Sequence, residues 1–301
     1  MRTILIRLLD YFFSTRPVLF MPVWTVALLG AGQAAGRPIS PETAGSLLFA
    51  TACLFGAVYL VNQIFDKESD RINNKGYFIP RDIIAVQEAV VLAVGLNLAA
   101  LAVSLLISGY AFVLFIAIAI LGILYSAPPL RLKDRAWMGL LANMLAHGSI
   151  VYLIGVGWNE DLEWRHLLHS LPYFFAVGAI YLNTTLPDVE GDKQVGKGTV
   201  AVAYGPRFAQ GLALVFVLLA IGIAVYTRDF DFLLPAILSL PLFALALDRK
   251  SVRFSVWATK AALLLLSLAA ALYFYWYVLI LAAGFWAVRT YYKRRFGMVY
   301  P

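Results

Sequence analysis

The chain has 301 residues, of which 62% are apolar and 14% charged, and this excludes an ordinary soluble domain, nearer half apolar and a quarter charged. The net charge of +7 fits basic loops at an anionic membrane face rather than a nucleic-acid partner. The single cysteine, Cys53, excludes an internal disulfide and a cysteine-rich metal site.

Long apolar runs recur along the chain without the strict alternation of a β-barrel, so the expected fold is all-α and polytopic. Arg2 and Arg7 precede the first apolar run, and small residues follow at Ala31 to Gly36, which imitates a secretory leader. Arg16 and Pro17 interrupt that segment, and the run after them is long enough to span, so it reads as a retained first helix. Spans are expected at about 17–36, 44–65, 84–107, 109–126, 137–157, 168–187, 207–227 and 232–248, with a long run from about 257 to 290. These make about nine spans in one transmembrane domain covering residues 1–301. The break near Gly109 is soft. The last run reads either as one span or as two that turn at about Tyr275–Tyr277.

Lys and Arg set the orientation. With a cytoplasmic N-terminus, one face receives Arg2, Arg7, Arg16, Lys67, Arg71, Lys75, Arg81, Arg131, Lys133, Arg135, Lys193, Lys197, Arg207, Arg249, Lys250, Arg253 and Lys260. The other receives Arg37, Arg165 and Arg228. This asymmetry makes the first face cytoplasmic in an integral protein of the cell membrane. The basic tail, Arg289 and Lys293 to Arg295, joins that face only if the last run spans twice.

Two acidic clusters close the second and sixth expected spans and therefore share the basic face. The first contains Asn62, Asp66 and Asp70; the second contains Asp188 and Asp192. A spacing of four stacks such groups on one helix face, one turn apart. Carboxylates beside a membrane are costly and read as functional. Two clusters on one face suggest a cage for a hard divalent metal such as Mg²⁺ and, through it, for a substrate bearing phosphate. Their repetition suggests two pseudo-repeated four-helix halves around a central cavity. His147 falls in the fifth expected span, and His166 and His169 flank the sixth at its far side. None has metal-ligand spacing with the acids, and structural roles are expected.

These segments resemble the two aspartate-rich motifs of the UbiA superfamily of intramembrane prenyltransferases. The family's first motif runs Asn-Asp-x-x-Asp-x-x-x-Asp, matched by Asn62, Asp66 and Asp70; its second contains Asp-x-x-x-Asp, matched by Asp188 and Asp192. Gly196 and Thr199 fit the continuation of the second motif. The segment Tyr125-Ser126-Ala-Pro128-Pro129-Leu-Arg131-Leu-Lys133 and the opening Arg16-Pro17 are similar as well. The chain departs from the pattern at Gln63, which stands for an Asp, and at Thr184 and Thr185, where many members carry Lys-Asp. The loop Asn74 to Arg81 departs as well.

The resemblance implies Mg²⁺-dependent transfer of a prenyl chain from a polyprenyl diphosphate to a hydrophobic or aromatic acceptor within the membrane lipid. By that resemblance Asp66, Asp70, Asp188 and Asp192 are the catalytic and metal-binding residues. Asn62, Arg16, Lys75, Tyr125, Ser126, Arg131, Lys133 and Lys193 are the substrate-binding candidates. The competing reading is a metal- or proton-coupled secondary transporter that uses the same acids. Against it, the acids sit at helix ends, and signals for helices broken in mid-span are scarce.

Overall fold

The computed structural model describes residues 2–72 and 76–300, which form an all-helical bundle. An N-terminal helix, α1 (Arg2–Ser14), stops at Thr15 and Arg16, and Arg16 adopts the left-handed conformation at φ 58°. Then come α2 (Phe20–Ala35), α3 (Pro41–Phe65), the short α4 (Lys67–Ile72), α5 (Val86–Ile107) and α6 (Gly109–Ser126). The soft break near Gly109 is a single extended residue, Ser108. It ends α5 and caps α6 by accepting the Ala111 amide at 3.4 Å.

The fifth span is not a uniform helix. It runs as α7 (Ala136–Asn143), a π-helical segment (Met144–Ile150) and α8 (Val151–Gly157). After it come α9 (Trp164–Thr185), α10 (Val189–Gln194), α11 (Val200–Tyr204), α12 (Pro206–Thr227) and α13 (Phe230–Asp248). The long last run divides into α14 (Val252–Ala270) and α15 (Tyr277–Phe296), joined by a turn.

Among the described residues, eight helical stretches are long and apolar enough to cross a membrane. The helices α9 and α15 are of comparable length and carry more polar residues. The outer faces of α5 and α6 are apolar too: Val91, Leu98, Leu106 and Val113 are exposed. Helices apolar all round belong in a core or in lipid. Small residues bring α2 and α8 together. A Cβ built on Gly30 would lie 2.2 Å from the Tyr152 carbonyl oxygen, and one on Gly155 would lie 2.0 Å from that of Ala27. Such contacts are how membrane helices gain packing where lipid already satisfies apolar surface. α3 packs along α5 much as α9 packs along α12, in keeping with two similar halves.

The two ends of the bundle are closed differently. At one end, Asp229, only 5% exposed, accepts from Gln33 Nε2 at 2.8 Å and from the Tyr173 hydroxyl at 2.9 Å. The Tyr152 hydroxyl donates to Gln33 Oε1 at 2.8 Å, so α2, α8, α9 and α13 are tied there. At the other end, buried Asp10 of α1 pairs with Arg295 at 3.0 Å and accepts from the Tyr291 hydroxyl. The tail of α15 therefore returns to the end that holds α1, Arg16 and the acidic clusters. Of the two readings of the last run, the folded-back one is correct. In a Cys53→Ala background, a cysteine at Phe296 should label from the same side as one at Lys197. One at Glu160 should label from the opposite side.

Candidate active site

The backbone brings the acidic clusters into position by ending helices at them. α3 stops at Phe65, and Asp66 lies at φ −97°, ψ 2°. The amide of Asp66 still donates to the Asn62 carbonyl at 3.0 Å, and that of Asp70 to the Asp66 carbonyl at 2.8 Å. The four-residue stacking therefore survives the break. The second cluster is similar. A 3-10 turn, Leu186–Asp188, follows α9; Asp188 begins α10, and Asp192 lies within it.

The connection after α6 completes the arrangement. Pro128 and Pro129, joined by a cis peptide, end the helix, and Arg131 adopts a left-handed conformation at φ 38°. The loop then runs as a 3-10 turn, Leu132–Asp134. Lys133 is only 2% exposed, and its ammonium lies 2.6 Å from Asp66 Oδ1. Arg131 spans two acids: its Nε donates to Asp134 at 2.7 Å, and its Nη2 lies 3.5 Å from Asp66. With its amide oriented to satisfy all its neighbours, Asn62 donates to Asp66 Oδ2 and accepts from Lys133 and Ser126, each at 3.2 Å. Burial pushes the Lys133 ammonium below the usual lysine range, and the Asp66 carboxylate opposes that shift.

A second loop is tied to the first. The Gly198 amide donates to the Asp134 carbonyl at 3.1 Å, and a Cβ at Gly198 would lie 2.9 Å from that oxygen. This approach carries Lys197 to the same place. Its ammonium lies 3.5 Å from Asp192, which is itself 6% exposed. Burial works against the charge on Lys197, but Asp192, Tyr125 and Asp66 outweigh it and hold the ammonium above its ordinary range.

These groups surround a cavity of about 310 Å³ that continues into apolar wall. Of the residues proposed from sequence, Arg16, Asn62, Asp66, Tyr125 and Lys133 line it. Ser126 joins through Asn62, Arg131 through Asp66, and Asp192 through Lys197. Asp70 is half-buried; a Cβ at Gly76 would lie 3.3 Å from its Oδ2. Asp188 and Lys193 are exposed at the same end and are not among the lining residues, and for Lys193 this counts against a direct hold on substrate. Lys75 lies outside the described residues.

Sequence reasoning passed over Lys197 as a site residue, although glycines on both sides of it signal a close backbone approach. It also left His147 and Asn143 out of the site; both line the cavity. No group of three or more His, Cys, Asp or Glu side chains suited to a metal occurs among the described residues. The donor set still fits Mg²⁺. The acids are hard oxygen donors, and Mg²⁺ commonly takes one or two carboxylates and fills its shell with water and phosphate oxygen.

The profile of the UbiA prenyltransferase family matches residues 23–255. Chlorophyll synthase from Arabidopsis thaliana is 27% identical over 212 residues, covering 66% of this chain and 54% of that protein. Homogentisate phytyltransferase from Synechocystis is 30% identical over 202 residues, covering 62% and 64%. The chain thus spans about half the length of the chlorophyll synthase it matches. Among solved structures, a UbiA homolog from Archaeoglobus fulgidus, bound to DMAPP and Mg²⁺, superposes with a TM-score of 0.69 at 19% identity. The match covers 91% of this chain and 99% of that one, and it shows a shared fold. With a family match over most of its length and the same helical architecture, the chain is an integral membrane protein that belongs to the UbiA prenyltransferase family.

Proposed function

We propose that the protein transfers a prenyl group from a prenyl diphosphate to an aromatic or lipid acceptor, in one transmembrane domain. The observation that carries this reading is the Asn62–Asp66–Lys133 cluster, with its buried Lys133, at the head of a cavity whose deeper wall is apolar. A diphosphate suits the charged head and an isoprenoid chain suits the wall. Arg16, Lys133 and Lys197 would bind phosphate oxygens, with Arg131 held ready by Asp66 and Asp134. Asp66 and Asp70 from one motif, and Asp188 and Asp192 from the other, would hold Mg²⁺. When bound, Mg²⁺ supplies charge stabilisation to the leaving diphosphate. The chain's own cations add to that stabilisation, and the apolar wall keeps water from the allylic centre. By the positive-inside rule, the charged end faces the cytoplasm.

The test is a transfer assay with geranylgeranyl diphosphate and three acceptors: homogentisate, a tetrapyrrole carboxylic acid and a prenylated glycerol phosphate. At least one should give product, chelator should abolish it, and added Mg²⁺ should restore it. Transfer that persists in chelator would remove the metal from the proposal. Failure with every acceptor would remove the activity.

A further inference from the structure

Beyond the charged head, the cavity meets a second, apolar chamber of about 150 Å³, and the two share Pro22, Asn143 and His147. His147 lies in the π-helical segment Met144–Ile150. Single π-turns re-aim side chains and recur at functional sites. Gly148 lets this segment press against α9: a Cβ there would lie 2.7 Å from the Phe174 Cα. His147 Nε2 lies 3.3 Å from the Tyr59 hydroxyl, while buried Nδ1 has the Asn143 backbone beside it but no well-aligned hydrogen bond. The ring's one well-formed hydrogen bond is thus the one to Tyr59. Whichever nitrogen carries the hydrogen, the neutral ring keeps a lone pair committed to nothing but Tyr59.

Among the described residues, the other titratable groups lining the cavity offer no comparable base. Arg16, Lys133 and Lys197 are cations, and Asp66 is held by Lys133 at 2.6 Å. Tyr125 and Tyr59 are phenols. Tyr173 and Tyr181 of α9 line the inner chamber together with His147, and among the described residues no charged side chain lines it. Depth agrees as well. Tyr59 lies three residues before Asn62 and seven before Asp66 in α3, or about 4.5 Å and 10.5 Å deeper at 1.5 Å per residue. A diphosphate seated in the charged head would put its allylic carbon at about that level.

We infer that the Tyr59–His147 pair is the proton acceptor for the transfer, on the acceptor side of the reacting carbon. The inference rests on the prenyl-transfer reading. The allylic C–O bond breaks, and its electron pair leaves on the diphosphate. The acceptor's nucleophilic atom bonds to the allylic carbon. The proton that atom sheds passes to the Tyr59 oxygen as the Tyr59 proton moves to the imidazole. The imidazolium then returns a proton to the departing diphosphate through Tyr59, so both residues end unchanged.

The test uses the full-length protein, geranylgeranyl diphosphate labelled with ¹⁸O at the bridging oxygen, and homogentisate or the prenylated glycerol phosphate, the acceptors whose nucleophilic atom sheds a proton. Product from the tetrapyrrole alone, which reacts as a carboxylate and sheds none, would overturn the inference. His147→Gln keeps similar volume and a hydrogen bond to Tyr59 but cannot take a proton. We expect kcat to fall about 100-fold or more, the scale of a lost general base. Donor KM should stay within threefold of wild type, and the label should still scramble between bridging and non-bridging positions. His147→Phe should behave the same way. A His147→Gln enzyme within threefold of wild-type kcat would overturn the inference, as would transfer and scrambling falling together. A wild-type enzyme that neither scrambles nor transfers would refute the prenyl-transfer reading and this inference with it.

Discussion

Asp66→Ala should slow prenyl transfer severely and also weaken the fold, because this carboxylate does two jobs at once. It faces Lys133 at 2.6 Å, and Lys133 is only 2% exposed. Removing the acid leaves a buried ammonium without that partner, a loss of about 3–5 kcal/mol when one member of a buried pair is deleted. The effect on rate is separate. If Asp66 helps hold charge on the leaving diphosphate, its loss should slow transfer by about a thousandfold, or ~4 kcal/mol in the barrier. The Asp66→Asn, Lys133→Met double variant distinguishes the two. It replaces the pair by uncharged groups of similar shape, so thermal stability in detergent should recover toward wild type while transfer stays lost. Recovery of both together would make Asp66 a structural residue only. Full transfer in Asp66→Ala would remove it from the site.

Lys133→Met should be the most damaging single change among the basic residues, with a loss of about a hundredfold in transfer, or ~2.7 kcal/mol. Arg131→Ala should cost about tenfold, and Arg135→Ala close to nothing. The order follows from geometry. Lys133 is buried on Asp66; Arg131 reaches Asp66 at 3.5 Å but is shared with Asp134; Arg135 is exposed. The losses should appear with every acceptor, because the donor is common to all. Positive-inside topology predicts something different: three equally mild effects, since one charge among many hardly changes the balance. Equal, small losses at positions 131, 133 and 135 would therefore return this loop to an orienting role.

Much of the molecule was legible as a string of residues. Apolar runs of membrane length gave the helices, and the skewed Lys and Arg gave their common end. The spacing of Asn62, Asp66 and Asp70, and of Asp188 and Asp192, marked the clusters. These properties are local, or are sums over loops, and need no knowledge of contacts. The burial of each loop charge is another matter. Lys133 and Lys193 both lie in loops of the basic face, yet one is 2% exposed and the other open to solvent. Asp192 and Asp188 differ in the same way. What separates them is the tie between two loops far apart in the chain, the Gly198 amide on the Asp134 carbonyl, which draws Lys197 into the site. The fold-back of the last run depends on another remote pair, Asp10 with Arg295. The π-helical segment that aims His147 leaves no trace in composition, because shifting a helical hydrogen bond by one residue changes no residue type. Period and charge are set along the chain, but the pairing and desolvation of a side chain depend on which distant segment lands against it. Only the packed structure decided that.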